Sequence, residues 1–396
     1  MKRRKIAIFT GNRAEYGLQY PILRAIYGDE RLEPYLIVGG AHLESGFGKT
    51  ISEIERDGFS VYRTVEMTMR QDSLYATAQA IGTGIVSVSH ILDELQPDWL
   101  VIYADRFESF AALTAGTQMR IPTAHIEGGD YTEGGALDDS VRHAMTKLAH
   151  LHFTTNEHAA KRICQMGEEP WRVFTVGQPC LDLAARGEYA NKEEIEGRHG
   201  SRPDRPLVLF CQHSVTTEFD LAVAQVVPAA RAIKRLIKDG CQVIVTYPNN
   251  DAGGVRIIDE INRQFEGMQG KDIQIYQSLG RHNFHGVLHY IGRIGRGAFV
   301  GNSSALIKET PYFGCPAVNI GSRQQGRLRG DNVVDVRYDE NDIYAAVRKC
   351  IDDEAWRSHC AQCANPYGAG NAGSRIAETL ATIPIDAGLI QKKMTY

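Results

Sequence analysis

Three carboxylates stand where the backbone can bring them together for proton transfer. Asp105 follows the apolar run Trp99-Leu100-Val101-Ile102-Tyr103-Ala104. Glu127 ends Thr123-Ala124-His125-Ile126 and precedes Gly128-Gly129, and Asp138 opens a helical stretch. In an open parallel sheet, the crevice outside the carboxyl ends of the strands gathers such residues although they lie far apart in sequence. Carboxylates so placed are equipment for general acid–base chemistry. Each acid alone reads equally well as a helix cap or first-turn acid favoured by the helix dipole. Glu127 resists that reading, since two glycines follow it and not a helix. Arg142 lies one turn beyond Asp138 on the same helix face, spaced to hold that acid by an ion pair and keep it ionised and oriented.

A second group suits a phosphate-bearing ligand. Gly11-Asn12-Arg13 joins a first strand to a helix, so its backbone N–H groups and the Arg13 guanidinium can meet an anion. It is not the GxGxxG dinucleotide fingerprint, and no Walker lysine loop occurs in the chain. Phe299-Val300-Gly301-Asn302-Ser303-Ser304 is a stronger signal: a strand ends in a hydroxyl-bearing turn at a helix start, which suits a pyrophosphate. Glu309, farther along that helix, is placed to accept both hydroxyls of a ribose; the alternative is a serine N-cap with a solvated glutamate. His213 follows the strand-like run Leu207 to Gln212, a position for catalysis or for pairing with phosphate.

Other titratable clusters carry less. His282, His285 and His289 share a helical spacing but lack a carboxylate in register, so they read as a loop followed by helix packing, not as a metal site. Cys360-Ala361-Gln362-Cys363 has the spacing of half a zinc site or a redox pair, with no second CxxC to complete it. Several of the remaining cysteines sit in strand-like apolar runs such as Leu207-Val208-Leu209-Phe210-Cys211, as reduced core thiols do.

The elements that must position these groups alternate regularly. Strand-like runs at 6–10, 34–40, 59–65, 99–104, 122–126, 151–155 and 173–176 are separated by helical stretches, which predicts βαβ units in a parallel, doubly wound sheet. The pattern lapses in a charged, glycine- and proline-bearing stretch over 186–205, which reads as a linker, then restarts with strands near 206–212, 241–247, 273–276, 298–301, 317–320 and 332–336. The expected architecture is α/β: two Rossmann-like doubly wound domains facing an interdomain cleft, residues 1–185 and 186–370, with a last helix in 371–396 packing back on the first.

Length and composition agree with that division. The chain has 396 residues, 43% of them hydrophobic, enough for two sizeable cores. A net charge of -4, with no run of like charges that suggests an interaction tail, leaves no footprint for nucleic acid. Lys2-Arg3-Arg4-Lys5 before Ile6 to Thr10 has the charge of a signal peptide, but its apolar run is too short and reads as a first strand. No stretch has the length of a membrane span, and a soluble, cytoplasmic protein is expected.

Taken together and in order, Thr10-Gly11-Asn12-Arg13-Ala14-Glu15-Tyr16, Ala104-Asp105-Arg106, His125-Ile126-Glu127-Gly128-Gly129, Asp138-Asp139-Ser140-Val141-Arg142-His143, Gln212-His213, Pro248-Asn249, Gly301-Asn302-Ser303-Ser304 and Gly321-Ser322-Arg323-Gln324 resemble the UDP-N-acetylglucosamine 2-epimerases. More narrowly, they are similar to the hydrolysing branch that feeds sialic acid and related nonulosonic acids. The resemblance implies a glycosyltransferase-B-like fold and a UDP-sugar as partner, with neither cofactor nor metal. It also implies a homodimer or homotetramer. The implied reaction removes the C2 proton, expels UDP to leave a 2-acetamidoglucal, and adds water to give N-acetylmannosamine.

By the same resemblance Asp105, Glu127 and Asp138 form the proton-transfer set, with Asp105 as the C2 base and Arg142 supporting Asp138. His213, Arg13 and Arg106 would stabilise the departing diphosphate by positive charge. Ser303, Ser304, Glu309 and Arg323 match the nucleotide-binding stretch, Asn249 a further contact, and His42 a loop of the first domain. Two departures stand out: Gly17 replaces a serine of some relatives, and Ala104 stands where glycine is usual. Open beside this reading are the same chemistry on UDP-N,N'-diacetylbacillosamine, a glycosyltransferase of the same fold, and a nucleotide-sugar sensor without turnover.

Overall fold

The computed structural model describes residues 3–43, 50–67, 74–131, 137–248, 253–270 and 272–396. The chain divides into two compact units: residues 1–130, 137–182 and 370–396 form the first, and 131–136 with 183–369 the second.

The first unit is built on seven strands: β1 (Arg4–Thr10), β2 (Leu32–Gly39), β3 (Val61–Val65), β4 (Trp99–Tyr103), β5 (Thr123–Ile126), β6 (Leu151–Thr154) and β7 (Val173–Thr175). They pair in the order β3-β2-β1-β4-β5-β6-β7, all parallel. Consecutive side chains of a strand point to opposite faces. Ile6 and Ile8 accordingly enter one core with Leu23 and Ile26 of the helix Arg13–Tyr27. Ala7 and Phe9 enter another with Leu92 of the helix Leu74–Leu95 and Leu113 of the helix Phe107–Gln118. Burial on both faces is why these strands read as continuous apolar runs.

The chain end returns to this unit. Helix Ala372–Thr382 packs on Arg13–Tyr27, and a Cβ at Gly373 would stand 2.7 Å from the Pro21 carbonyl oxygen. Asp182 accepts from the amides of Ala372 and Gly373 at 2.9 and 2.7 Å, capping the helix start.

In the second unit, β8 (Leu207–Cys211), β9 (Gln242–Thr246), β10 (Ile273–Tyr276), β11 (Gly297–Gly301), β12 (Ala317–Ile320) and β13 (Val333–Val336) pair in the order β10-β9-β8-β11-β12-β13, again parallel. Relative to its first strand, each sheet therefore follows 3-2-1-4-5-6, extended by a seventh strand in the first unit, the doubly wound order with a switch point between its first and fourth strands. Helices Ala222–Lys238, Gly254–Gln264 and Glu340–Asp352 cover one face of the second sheet.

Three local expectations need correction. The stretch 186–205 is not simply a linker: it holds the helix Lys192–His199, opened by an Asn191–Glu194 capping box and closed by left-handed Gly200, signals masked by its charge. His282, expected in a loop before a helix, lies within the helix Gly280–His289, which continues as a π-helix over Tyr290–Ile294. The helix expected to run from the Ser303-Ser304 turn through Glu309 breaks there into Ser304–Lys308 and Thr310–Phe313, where Pro311 cannot supply an N–H to continue the ladder. Among the described residues, no helix is long and apolar enough to cross a membrane.

Candidate functional site

The switch point of each sheet is lined by the loops after its first and fourth strands. In the first unit these carry Gly11-Asn12-Arg13 and Ala104-Asp105-Arg106; in the second they carry Gln212-His213-Ser214 and Asn302-Ser303. Residues as far apart as His213 and Asn302, 89 positions, thus meet because two adjacent parallel strands end side by side.

In the first unit Asp105 pairs with Arg142, whose guanidinium is almost fully buried and also reaches Asp139 at 3.3 Å. The expected partner of Arg142 was Asp138, whose side chain lies outside the described residues. Asp105 as a partner was invisible in the sequence because the pair links two elements 37 positions apart. Glu127 accepts from the Tyr103 hydroxyl, which joins the ends of neighbouring strands β4 and β5. Burial, followed by the nearby Glu127 charge, holds the Tyr103 phenol well above its ordinary range, so it stays a donor.

The backbone at both acids is unusual. Ala104 has φ of 55° and Glu127 φ of 64°, the left-handed region that costs a residue with a Cβ roughly 1–2 kcal/mol. For Ala104 the compensation is visible: its N–H donates to the Ile126 carbonyl at 2.9 Å, and its carbonyl accepts from His125 Nε2 at 2.6 Å. His125 is wholly buried, and burial lowers it to about 4, so the ring is neutral and can donate from Nε2 while Nδ1 faces Thr146 Oγ1 at 3.4 Å. A Cβ at Gly128 would stand 2.9 Å from both Nδ1 and that hydroxyl. This close approach is the reason for glycine after Glu127.

Beneath the same switch point lies a second carboxyl pair, whose Glu15 was legible only as part of a motif. Glu15 accepts from Gln19 at 2.7 Å and Ser109 at 3.0 Å, and Glu108 is 1% exposed. Burial first and Glu108 second raise Glu15 to about 8. A Cβ at Gly11 would come within 2.7 Å of Glu108 Cβ, and one at Gly40 within 2.9 Å of its Cγ. Arg13 and Arg106 lie at the rim, each half-exposed, against Glu53 at 3.3 Å and Glu108 at 3.6 Å. His42 is fully buried with both ring nitrogens on threonine hydroxyls, Thr10 at 3.2 Å and Thr50 at 2.7 Å, and so presents no ring nitrogen to a ligand. A Cβ at Gly17 would meet nothing within 4 Å, so a serine there has room.

In the second unit the Asn302 side chain holds the His213 backbone by two hydrogen bonds, its Oδ1 accepting from His213 N at 2.6 Å and its Nδ2 donating to His213 O at 2.9 Å. Arg323 and Gln324 donate to the Asn302 carbonyl at 3.2 and 2.8 Å, joining the loop after β12 to the same point. His213 differs from the expected cation. It is 7% exposed, and burial, reinforced by the Arg323 charge, lowers it to about 3, leaving a neutral imidazole beside a guanidinium. Ser303 caps the following helix, accepting from Ala305 N at 3.3 Å, and Ser304 is its first residue. That helix is only five residues long, so individual N–H and O–H donors, more than a helix dipole, are what it offers an anion. Glu309 sits at the break between the two short helices, 2.7 Å from His285 Nε2. A cavity of about 490 Å³ adjoins these loops, lined by Tyr131, Val215, Thr217, Glu218, Ser322 and Gln325.

The other candidates separate. Asn249 lies outside the described residues. His282 faces Glu194 at 3.3 Å and His289 packs against the Tyr189 ring, tilted by 43° with centroids 4.8 Å apart, so the three spaced histidines turn to different partners. Cys360 is buried at the end of the helix Glu354–Ala361 and Cys363 half-buried beyond it, both as thiols.

Comparison with known proteins places this geometry. Residues 24–381 match the family model described as UDP-N-acetylglucosamine 2-epimerase. The UDP-N,N'-diacetylbacillosamine 2-epimerase (hydrolyzing) of Legionella pneumophila is 31% identical over 394 residues, covering 99% of this chain and 100% of the relative. The UDP-N-acetylglucosamine 2-epimerase of Neisseria meningitidis is 32% identical over 346 residues, 87% of each chain. Among solved structures, a UDP-GlcNAc 2-epimerase from Neisseria meningitidis bound to UDP-GlcNAc superposes with a TM-score of 0.79 at 15% identity, covering 95% of this chain and 99% of that one. The shared fold is two Rossmann-like halves of the glycosyltransferase-B kind.

Proposed function

Because this chain is an enzyme of the UDP-N-acetylglucosamine 2-epimerase family, we propose that it hydrolyses UDP-N-acetylglucosamine to N-acetylmannosamine and UDP with inversion at C2. The observation that carries this reading is the Asp105–Arg142 pair beside Glu127 at the carboxyl edge of the first sheet. A glycosyltransferase needs an acceptor site and not C2 deprotonation; a sensor needs neither.

In this mechanism the Asp105 carboxylate, oriented by Arg142, removes the C2 proton while the C1–oxygen bond to UDP breaks. Elimination leaves 2-acetamidoglucal. Water then adds its hydroxyl at C1, and C2 is reprotonated from the opposite face with Glu127 and Asp138 in the proton-transfer set. The second unit is assigned the nucleotide. Backbone donors and hydroxyls at Asn302, Ser303 and Ser304 take the diphosphate with Arg323, and Glu309, oriented by His285, accepts from the ribose. A bound diphosphate would favour the protonated form of His213 by charge, supplying a further donor to the leaving group. Arg13 and Arg106 are assigned to the same charge on the first unit, and Asn249 to a further nucleotide contact.

A second reading, the same reaction on UDP-N,N'-diacetylbacillosamine, is favoured by the end-to-end match with the Legionella relative. Both are tested by proton and phosphorus NMR of the purified protein with each UDP-sugar in deuterated water and no acceptor. Free UDP and a C2-deuterated 2-epimeric sugar are expected. A product without deuterium at C2 would overturn the elimination mechanism, and no release of UDP from either sugar would overturn the epimerase reading.

A further inference from the structure

The helix Leu137–Leu148 carries Arg142 at one end of the candidate site and leaves its last carbonyls at the other. Those carbonyls lack partners within the helix and carry its negative dipole end. The Leu148 carbonyl accepts from Thr117 Oγ1 at 3.3 Å, and those of Thr146, Lys147 and the following Ala149 are met by one side chain from far along the sequence. Lys392 Nζ donates to the carbonyls of Ala149 and Lys147 at 2.6 and 2.7 Å, and lies 3.5 Å from that of Thr146. Its charge is balanced by Glu168 at 2.8 Å, a carboxylate 1% exposed that is also engaged by His152 at 3.1 Å and by Lys147. Around it Met394 and Tyr396 are exposed, and polar contacts hold this segment: beside Lys392 Nζ, Lys393 N donates to Glu169 at 3.4 Å and Thr395 N to the Gly167 carbonyl at 3.3 Å.

The capped end is connected to the acids. Thr146 Oγ1 donates to the Arg142 carbonyl at 3.0 Å and faces His125 Nδ1; His125 Nε2 holds the Ala104 carbonyl; Asp105 is the next residue and closes on Arg142. We propose that Lys392 is a positioning residue for the reaction: by capping the carbonyl end of Leu137–Leu148 it fixes the placement of Arg142 and Thr146, and through them Asp105. This rests on the functional reading above, since Asp105 matters only if proton transfer occurs there.

The charge state supports a pH signature. Burial lowers Lys392, and Glu168 only partly opposes this, leaving it at about 8; the cationic cap is present below that pH and lost above it. Burial raises Glu168, but hydrogen bonds from His152, Lys147 and Lys392 outweigh it and bring it to about 2, so it stays charged throughout. Lys147 and Arg172 are the other cations facing Lys392, and His150 and His152 are held neutral by burial.

Lys392→Met, which keeps the stem and removes the charge, and Lys392→Arg, which restores it, test the assignment in the full chain. For Lys392→Met, kcat should fall about tenfold or more, since sub-ångström misplacement of a reacting group is costly. KM and UDP affinity should stay within about twofold, and amides over 142–150 should exchange hydrogen faster. Lys392→Arg should recover kcat and move the alkaline limb of the kcat profile above its wild-type position. Unchanged exchange over 142–150 in Lys392→Met, or a wild-type kcat in it, would overturn the proposal. The exchange result does not depend on turnover; wild-type protein inert toward both UDP-sugars would instead overturn the functional reading itself.

Discussion

Asn302 binds both backbone polar groups of His213, at 2.6 and 2.9 Å, across the switch point of the second sheet. Its carboxamide sets a separate acceptor atom and donor atom side by side, which a carboxylate of the same size or a single hydroxyl does not. His213 is only 7% exposed, so removing Asn302 takes a hydrogen-bond partner from each of two backbone groups of a buried residue. Asn302→Ala should lower stability by roughly 1–3 kcal/mol and weaken UDP binding. Thermal unfolding and UDP titration calorimetry check both, and a variant with wild-type affinity would contradict the clamp.

Asp105→Asn and Glu127→Gln should each reduce turnover by at least about a hundredfold, the lower range for losing a proton-transfer group, with UDP affinity largely kept. Loss of UDP binding in both, with the fold intact by circular dichroism, would contradict their assignment to the sugar.

Arg142→Lys retains a charge but not the planar fork that reaches Asp105 and Asp139 together. Its kcat should fall nearly as far as that of Arg142→Met, measured under substrate saturation. Near-normal kcat in the lysine variant would mean that charge alone suffices.

Glu15 is raised to about 8, chiefly by burial and then by Glu108. The folded state therefore binds more protons than the unfolded one between the ordinary carboxyl range near 4.5 and about 8, and stability should decline as pH rises through that window. Glu15→Gln keeps the shape and removes this ionisation. Denaturant unfolding from pH 5 to 8 should show a flatter profile in the variant; an unchanged slope would exclude Glu15 as its source.

Ala104 occupies a left-handed conformation at φ 55°. Ala104→Gly should alter stability by less than about 1 kcal/mol, because relieved strain and added chain entropy oppose each other. Ala104→Val should lower both melting temperature and kcat, since a β-branched residue cannot relax there without moving Asp105. Equal behaviour of the two variants would show that this backbone angle does not govern the site.

What the sequence determined by itself is the part governed by local rules. Apolar runs such as Trp99 to Tyr103 and Leu207 to Cys211 declare buried parallel strands, and Asp105, Glu127 and His213 are placed by the ends of those strands. The helix Lys192–His199 was equally local, yet its capping box was hidden by surrounding charge. Only the tertiary structure decided the partners: Arg142 on Asp105, Tyr103 on Glu127, Asn302 on His213 and Lys392 on the helix Leu137–Leu148. It also decided that His213 is neutral, because a pKa in the interior follows from desolvation and neighbouring charge. Periodicity along a chain specifies which way a side chain faces; which group it meets depends on the order in which strands lie side by side, and that order is a property of the folded sheet.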